Sequence, residues 1–440
     1  MSAPSAPVAI IGAGWTGLAA AFTLQQHAIP CVVYESAPRP GGRARTVSQH
    51  GHQLDNGQHL LIGAYSETLR LLQQSGQDEG ALLLRQPLRL AVWGQQERLL
   101  LNAPRLPAPL HLAAALLSAQ GLPWGERLAA LRMGLRLQTS AYRLPEDISV
   151  AALLRQHRQG ERTTRLLWEP LCIATLNTPI AEASAQVFLN VLRDSFGHRY
   201  RDAELLLPRV ALGELFAESL SAQLNRQAAN TLRLRQRVEA LHSEDGKLCA
   251  LTVQGKHRPY TQAILATAPE AASRLLAPLP TLQGLAEQIR QLGSRAILTA
   301  YLHYPPECRL PQPMLGLHGG IAQWLTDRRI TGQAGLIAVT ISTAEGYGSM
   351  DNNSLCDTLH REIQQHFPHW PAPQHCQVIR EKRATFDCRV GIQSLRPEQQ
   401  TPLHGLWLAG DYTAGDYPAT LEGAVRSGVQ CAHQIIQARK

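Results

Sequence analysis

Short apolar runs separated by turns form the beginning of the chain. An apolar run from Val8 to Ile11 leads directly into a glycine-rich turn, and the segment Leu18 to His27 is compatible with a helix. A second apolar run, Cys31 to Tyr34, ends on Glu35. The order of strand, glycine-rich turn, helix, strand and acid predicts the βαβ unit of a dinucleotide-binding domain.

The middle of the chain has helical periodicity instead. From Leu69 to about Leu207 the sequence is rich in Leu, Ala and Arg, and two apolar helical segments, Leu106 to Leu117 and Leu128 to Leu137, stand out. The second segment carries an apolar stripe with basic flanks, made of Leu128, Leu131 and Leu135 with Arg127, Arg132 and Arg136. Such a helix fits either the core of a helical substrate domain or a surface that docks on a membrane.

Patterns typical of β-strands return after Thr231. The first two predicted strands are expected to pair across the turn Glu244–Asp245–Gly246. A last helix is predicted from about Leu421. The predicted strands are Leu232 to Val238, Lys247 to Val253, Ala263 to Ala266, Ala296 to Leu302, Gly335 to Ile341 and a short run that begins at Leu406.

Length and composition favour a folded protein of two domains. The 440 residues are many for a single core, and 44% hydrophobic against 17% charged residues excludes a disordered chain. The net charge of +8 favours an acidic partner. Aromatic residues are only 5% and no basic stripe is interleaved with them, so an anionic membrane surface is favoured over nucleic acid.

The spacing of cysteine and histidine argues against a metal site. The eight cysteines contain no CxxC pair and the 17 histidines no HExxH motif. Scattered cysteines are typical of a reducing compartment. The first 34 residues lack Asp, Glu, Lys and Arg, but the glycine motif accounts for that run and a signal peptide would begin with positive charge. We therefore expect a cytoplasmic protein with no bound metal.

Each glycine of the first turn has a physical role in binding a dinucleotide. Gly12 allows the tight turn, Gly14 lets the backbone approach a pyrophosphate, and Gly17 allows close packing of helix and sheet. The N-terminus of the helix supplies free N–H groups and a positive dipole for the phosphates. Glu35 is placed to accept hydrogen bonds from a ribose with free hydroxyl groups.

A second glycine-rich turn indicates which dinucleotide binds. Gly41, Gly42 and Arg43 follow Glu35 in a proline-rich turn, where an NAD site has no use for them. The stretch resembles the extended FAD signature of the amine oxidase and carotenoid desaturase superfamily. The resemblance implies that the glycines pass the diphosphate of FAD and that the Arg43 side chain contacts it. We therefore expect FAD as the cofactor.

A cluster of polar residues interrupts the apolar stretch GHQLDNGQHLLIG, residues 51–63. Asp55, Asn56, Gln58 and His59 fit an Asx-type turn in which Asn56–Gly57 closes a hairpin. By the superfamily resemblance, the same segment runs along the isoalloxazine edge of the flavin and into the substrate cavity. Both interpretations are open on sequence alone.

The C-terminal stretch LWLAGDYTAGDYPATLEGAVRSG, residues 406–428, resembles a second FAD signature of the superfamily. The resemblance implies that Gly410 and Asp411 place a carboxylate at the ribityl and phosphate region. It also implies that a helix N-terminus near Thr420 and Leu421 points its dipole at the pyrimidine carbonyl of the flavin. By the same resemblance, the backbone near Val238 holds the adenine.

Over nearly its whole length the chain resembles the hydroxysqualene dehydroxylase family. The segments LDNGQHLLIGAY, residues 54–65, and AGDYTAGDYPATLEGAVRSG, residues 409–428, carry this resemblance most specifically. It implies an α/β fold with a Rossmann-type FAD-binding domain and a second, α+β substrate domain like that of amine oxidases. The expected FAD-binding domain comprises residues 1–75, 205–275 and 400–440, and the expected substrate domain residues 76–204 and 276–399.

The resemblance implies that hydride from reduced FAD replaces the hydroxyl group of hydroxysqualene, an allylic alcohol, to give squalene and water in hopanoid biosynthesis. A Leu-rich substrate domain suits this polyene, and a basic cytoplasmic protein suits collecting it as a peripheral protein of the inner membrane. The sequence does not identify the electron donor. Cleavage of the C–O bond requires an acid. The candidates are His59 and Asp55, followed by Asp416 and Tyr417.

Two other functional classes are consistent with much of the sequence. An oxidative flavoenzyme of the phytoene desaturase or amine oxidase type has every FAD motif. Amine oxidases commonly place a lysine near flavin N5, and the comparable stretch here has Ile297 at that position, with Arg295 two residues away. This substitution counts against amine oxidation. The third class, a non-catalytic isoprenoid carrier of the same fold, need not keep a working flavin site.

Overall fold

The computed structural model describes residues 6–49, 51–226 and 231–439 of the chain. Two π-helical stretches, Thr164–Trp168 and Gly213–Glu218, lead into the α-helices that follow them. The α-helices are α1 (Trp15–Gln26), α2 (Ser66–Gln74), α3 (Glu79–Leu82), α4 (Leu110–Ser118), α5 (Trp124–Thr139), α6 (Val150–Gln156), α7 (Glu161–Thr163), α8 (Glu169–Leu176), α9 (Ala185–Phe196), α10 (Ser219–Leu224), α11 (Pro269–Leu276), α12 (Gln283–Arg290), α13 (Asn352–His366) and α14 (Leu421–Ala438).

The strands are short and are distributed over the whole chain. They are β1 (Val8–Ile11), β2 (Cys31–Tyr34), β3 (Thr46–Gln49), β4 (His52–Asp55), β5 (Leu61–Ile62), β6 (Leu83–Gln86), β7 (Arg89–Trp93), β8 (Arg98–Asn102), β9 (Leu205–Pro208), β10 (Thr231–Arg233), β11 (Val238–Glu244), β12 (Lys247–Val253), β13 (Lys256–Pro259), β14 (Ala263–Leu265), β15 (Arg295–His303), β16 (Met314–Leu317), β17 (Trp324–Asp327), β18 (Leu336–Ser342), β19 (His375–Thr385) and β20 (Leu406–Leu408).

A parallel sheet brings the two ends of the chain together. Its strand order is β10-β2-β1-β14-β20, and every pairing is parallel. The β1, β14 and β20 strands are completely buried, as expected for a parallel sheet that is covered on both faces. This arrangement confirms the predicted α/β fold of dinucleotide-binding type.

Two layers cover this parallel sheet. Val8 and Ile10 face α1 and α14, whereas Ala9 and Ile11 face the antiparallel sheet β11-β12-β13. The two helices approach each other closely, because a Cβ atom on Gly428 of α14 would lie 2.2 Å from the Thr16 carbonyl oxygen of α1. The glycine in the C-terminal motif therefore lets α14 pack on the helix that follows the N-terminal motif.

The predicted strand Leu232 to Val238 is wrong. Two strands, β10 and β11, lie there, and the turn between them includes Arg235 with a φ of +57°. The β10 strand belongs to the parallel sheet beside β2, while β11 pairs with β12. The predicted strand Lys247–Val253 and the turn at Asp245–Gly246 are confirmed, but the partner of β12 is β11 and not the predicted strand.

The polar segment after β4 does not close a hairpin, as one of the two interpretations expected. The hairpin is formed by β3 and β4, with Gln49 opposite His52, so the segment after β4 is not its turn. Asn56 follows β4, and its backbone N–H donates to the Arg45 carbonyl oxygen at 2.9 Å. The polar segment that follows β4 is therefore not needed to close this hairpin.

A second large sheet has the strand order β19-β15-β18-β17-β16-β7-β8. One face packs against α13 through residues such as Leu298, Val339 and Leu359. Because side chains alternate along a strand, Ile297 and Thr340 point from the opposite face. The predicted strands at residues 296–302 and 335–341 are confirmed as β15 and β18. The proposed domain boundaries stay a prediction.

The apolar stripe predicted for α5 is not the face that packs in the core. The buried residues of α5 are Ala130, Met133 and Leu137, whereas Leu128 and Leu135 are 45% and 62% exposed. The interpretation of the stripe as helical core is therefore wrong for these two leucines. The sequence pattern located the helix correctly but not its orientation.

Cys356 of α13 and Cys376 of β19 form a disulfide that joins the helix to the large sheet. The cysteine pattern predicted a reducing compartment, where disulfides are uncommon. This pair departs from that expectation.

Candidate active site

The first glycine turn has the shape that a pyrophosphate requires. Gly12 has a φ of +108°, and a Cβ there would lie 2.5 Å from the Ala266 carbonyl oxygen. A Cβ on Gly17 would lie 2.0 Å from the Gly12 carbonyl oxygen, so this glycine lets helix and turn pack closely. At Gly14, in contrast, a Cβ would have no neighbour nearer than the Gly42 Cα at 3.9 Å. The open space above Gly14 is where a diphosphate fits.

The second glycine turn lies directly against the first. The Gly41 N–H donates to the Ala13 carbonyl oxygen at 2.8 Å, and Gly14 and Gly41 form an isolated parallel bridge. A Cβ on Gly42 would lie 3.2 Å from the Gly14 Cα. The two turns therefore form one cradle of backbone amides, which fits the phosphates of a dinucleotide.

Glu35 is held at the end of β2 next to this cradle. One carboxylate oxygen accepts from the Ala13 N–H at 2.8 Å and the other from the Ala37 N–H at 2.7 Å. The oxygen that accepts from Ala13 keeps a further lone pair for a ribose hydroxyl, whereas the other also accepts from the Ser36 hydroxyl at 3.3 Å. The chain returns beside Glu35, because the Gln236 N–H donates to the Glu35 carbonyl oxygen at 2.8 Å. Val238 is buried in β11 just after this contact, and its role near the adenine stays a prediction.

Arg43 and Asp411, both predicted to contact FAD, pair with each other. One guanidinium nitrogen of Arg43 lies 2.7 Å from both Asp411 oxygens, and another donates to the Ala384 carbonyl oxygen at 2.7 Å. Burial alone would lower the pKa of Arg43, but the charge and hydrogen bonds of Asp411 raise it above its ordinary value. Gly410 precedes this carboxylate, and its N–H donates to the Ser427 hydroxyl at 2.9 Å.

The N-terminus of α14 closes the site from the other side. Thr420 is its N-cap, since the Thr420 hydroxyl accepts from the Gly423 N–H at 3.1 Å. Thr420 and Leu421 both line the large cavity described next. The positive end of the helix dipole is therefore directed at the cavity, as the sequence predicted for a flavin that carries negative charge.

A cavity of about 560 Å³ continues from Arg43 and Thr420 between the large sheet and helices α4 and α5. Its lining is mostly apolar and includes Leu112, Leu131 and Leu167. The volume is within the range of sites that bind small organic molecules. The chemistry of the lining suits a hydrocarbon chain with few polar groups.

Asp55 anchors the polar segment and does not line the cavity. One oxygen accepts from the Thr46 hydroxyl at 3.1 Å and the Leu212 N–H at 2.9 Å, and the other from Arg328 at 2.8 Å. The side chains of Asp55 and Arg328 are only 2% and 3% exposed. The assignment of Asp55 as an acid for the reaction is wrong, because its carboxylate is occupied in a buried ion pair.

His59 lines the cavity with the geometry of a possible proton donor. Its Nδ1 lies 2.9 Å from the Gly57 carbonyl oxygen, so this nitrogen carries a proton and donates it. The other nitrogen, Nε2, is left to interact with a substrate. Burial lowers the pKa of His59 below its ordinary value, because the charged ring is poorly solvated.

The two other acid candidates differ in location. The Asp416 side chain is 61% exposed, pairs with Arg193 at 3.0 Å and is not part of the described lining, so its assignment as an acid is wrong. Tyr417 does line the cavity, and Arg426 lies 4.8 Å from its ring centroid. Burial raises the pKa of Tyr417, so the phenol keeps its proton.

Four charged residues that the sequence analysis did not identify line the cavity, namely Arg89, Asp194, Arg328 and Glu381, and the last two lie on or directly after strands of the large sheet. Arg328 follows β17, and Glu381 lies on β19. Arg328 also donates to the Gln58 side-chain oxygen at 3.1 Å, which fixes the polar segment. No local motif marks Arg328 or Glu381, because each reaches the site through the pairing of distant strands.

The chain is similar to known proteins in both sequence and fold. The family model described as flavin containing amine oxidoreductase matches residues 15–436. A hydroxysqualene dehydroxylase from Rhodopseudomonas palustris is 27% identical over 460 residues, with 99% of each chain covered. A 15-cis-phytoene desaturase from Synechococcus elongatus is 24% identical over 462 residues, with 98% of this chain and 95% of that one covered. An oxidoreductase from Methanosarcina mazei has a similar fold, with a TM-score of 0.75 at 16% identity over 98% of this chain and 100% of that one.

We predict that Gly14→Leu abolishes FAD binding without unfolding the protein. The new side chain meets no protein atom at its Cβ and instead fills the space for the diphosphate. Gly346→Leu is the matched control, because its Cβ also has open space but lies away from the cradle. Flavin absorbance of denatured protein and circular dichroism measure the two properties. Flavin retained at the parent's level in Gly14→Leu would contradict the assignment of the cradle.

We predict that Asp55→Ala lowers the free energy of unfolding by about 3–5 kcal/mol, because it leaves a buried guanidinium without its carboxylate. Asp416→Ala removes an exposed ion pair and should cost less than about 1 kcal/mol. Urea unfolding of the two variants and the parent provides the measurement. Equal losses in both variants would show that the Asp55–Arg328 pair is not a stabilising anchor.

Proposed function

Because the chain belongs to the flavin-containing amine oxidoreductase family and uses FAD, we propose that it reduces hydroxysqualene to squalene. FAD, once reduced, supplies the hydride that replaces the hydroxyl group at the allylic carbon. The observation that carries the proposal is the apolar cavity, which Thr420 and Leu421 at the N-terminus of α14 also line. The similarity to a hydroxysqualene dehydroxylase over 99% of both chains supports the same substrate.

The cavity suits a reaction that passes through an allylic cation. Residues such as Leu112, Leu131 and Leu167 exclude water, which would otherwise capture the cation before hydride does. Several polar groups lie along the segment from Asn56 to His59 and on the neighbouring strands. A long hydrocarbon can therefore occupy the leucine-lined part while its oxygen reaches the polar end.

We assign His59 as the group that protonates the departing hydroxyl. The Gly57 carbonyl oxygen holds the Nδ1 proton, so the imidazolium gives up the proton on Nε2 and leaves a neutral ring that is already hydrogen-bonded. The lowered pKa of His59 makes the imidazolium a stronger acid, although less of it is present at neutral pH. Tyr417 is the alternative donor on the cavity wall.

The rival functions fit the site less well. Ile297 lines the cavity where an amine oxidase commonly has lysine, and no lysine is among the described lining residues. A phytoene-type desaturase would also use an apolar cavity, and the resemblance to a phytoene desaturase makes it the main alternative. A carrier would not need the intact cradle at Gly14 or the Arg43–Asp411 pair. A role in hopanoid biosynthesis is part of the proposal.

We further propose that the protein collects its substrate as a peripheral protein of the inner membrane, on the cytoplasmic side. The support is a group of exposed apolar side chains on and before α4 and α5, among them Leu110, Trp124 and Leu135 at 57%, 63% and 62% exposure. Leu110 and Leu135 also line the cavity, so the exposed surface leads into it. Within the described residues, no helix has the length and apolar character needed to cross a membrane.

A single-turnover experiment tests the proposed function. The FAD-loaded protein is photoreduced without oxygen and mixed with hydroxysqualene, and the expected result is flavin reoxidation with formation of one squalene per flavin. Phytoene offered to the oxidised protein tests the main alternative. Flavin reduction by phytoene, with no squalene from hydroxysqualene, would replace the proposal by a desaturase.

We predict that His59→Gln slows this single turnover by roughly 10²–10⁴-fold, the usual contribution of a general acid. FAD binding and photoreduction should be unchanged. In the parent, the rate should rise as pH falls below about 6.5, because the pKa of His59 is lowered and the imidazolium forms only in this acid range. The variant should lack that rise. If parent and variant have the same pH profile, the acid is another residue. Tyr417 is then the next residue to test.

We predict that the protein floats with anionic liposomes and that salt weakens this binding. Replacing Leu110, Trp124 and Leu135 by Gln should reduce flotation strongly. Replacing Arg127, Arg132 and Arg136 by Gln should remove mainly the salt dependence of liposome binding. Arg127 should contribute least, because its guanidinium donates to the Leu117 and Leu122 carbonyl oxygens. Unchanged flotation of both triple variants would exclude this surface as the membrane contact.

A further inference from the structure

A row of three residues crosses the cavity face of the large sheet. In the register of the sheet, Ile297 of β15 lies between Glu381 of β19 and Ser342 of β18. Cross-strand neighbours point to the same side of a sheet, and all three residues line the cavity. The strand pairing therefore places the Glu381 carboxylate next to an apolar wall that faces the substrate.

Glu381 is also tied to the flavin end of the cavity. One oxygen accepts from the Asn56 side-chain amide at 3.0 Å, and the other from the Arg383 N–H at 3.3 Å. The same Asn56 amide donates to the Arg43 carbonyl oxygen at 3.1 Å. The Asn56 side-chain amide therefore links Glu381 to Arg43, the arginine of the second glycine turn, by donating a hydrogen bond to each.

Glu381 lies near a cation without pairing with it, because its charge helps to raise the pKa of Arg43 while the Arg43 guanidinium is held by Asp411. Of the carboxylates on the described lining, Asp194 pairs with Arg193 at 2.7 Å, whereas Glu381 forms no ion pair with a described residue. The half-buried Arg43 pairs with Asp411, and the buried Arg328 pairs with Asp55. Glu381 thus brings negative charge into an apolar cavity, where electrostatic interactions are weakly screened.

We propose that Glu381 is a further catalytic residue that stabilises the positive charge of the allylic cation. This inference rests on the proposed function. The C–O bond breaks with its electron pair on oxygen, which takes a proton and leaves as water. The allylic carbon then accepts a hydride, with two electrons, from reduced FAD. Glu381 neither gains nor loses a proton or electron in these steps, and it acts only through its charge.

Binding of a cation mimic tests Glu381 without turnover. The probe is farnesyltrimethylammonium, and its neutral match is the hydrocarbon in which carbon replaces the nitrogen. Calorimetric titration of the oxidised, FAD-loaded protein should show that the parent prefers the cation by roughly tenfold or more. Glu381→Gln should lose this preference while binding the hydrocarbon as before. Asp194→Asn is the matched control and should keep the preference, because Arg193 already balances that carboxylate.

A second variant covers the case in which Glu381→Gln does not fold. Ile297→Lys places an ammonium group opposite Glu381 in the sheet, so it should cancel the preference for the cation while the carboxylate remains. Ile297→Met is its control and should bind both probes like the parent. If the cation is still preferred in Glu381→Gln, or in Ile297→Lys, the proposed role of Glu381 is overturned.

Single turnover separates this inference from the proposed function. In photoreduced protein, Glu381→Gln should form squalene roughly 10²-fold or more slowly than the parent, as expected when a group that stabilises transition-state charge is removed. Equal rates in parent and variant would overturn the role of Glu381 but leave the proposed function intact. If the parent forms no squalene, the proposed function fails, and with it the role of Glu381 in that reaction.

Discussion

The ion pair between Arg43 and Asp411 fixes the geometry on which the rest of the site depends. It joins residues 368 positions apart in sequence, one in the second glycine turn and one after β20. A further nitrogen of the same guanidinium donates to Ala384 on β19, so the parallel sheet and the large sheet meet at one side chain. A largely buried charge must keep its partner, because an unpaired charge in an apolar environment is costly. The relative position of cofactor cradle and substrate cavity is therefore strongly constrained.

Those parts of the fold that depend on neighbouring residues could be predicted from the sequence. The turn at Gly12 and Gly14 and the strands around it need residue types at a fixed spacing, and the structure has these elements, and the start of α14 near Leu421, at the expected places. The orientation of a helix is less easily predicted. A stripe of leucines on α5 indicates that some face avoids water, but Ala130, Met133 and Leu137 are the residues that pack inside, while Leu128 and Leu135 face outward.

The parts of the candidate site that could not be predicted depend on contacts between distant strands. Asp55 and His59 lie in the same polar segment, and their spacing in the sequence does not show which of them acts as the acid. Only the approach of Arg328, 273 residues further along, makes Asp55 a buried structural anchor. Glu381 reaches the cavity because of the register between β15 and β19, which no local pattern specifies. The division between anchoring and reactive groups is therefore a property of the folded chain.

This division also explains how an apolar cavity can contain several charged groups. Excluding water protects a reactive cation from capture, but the absence of water also makes charge separation unfavourable. In this site the cations Arg43 and Arg328 are each balanced by a carboxylate, so they add little net charge to the cavity wall. Glu381 has no such counterion among the described residues. In the proposed reaction, the Glu381 carboxylate faces the cavity near Arg43, so the wall that keeps water out can also lower the cost of a positive carbon.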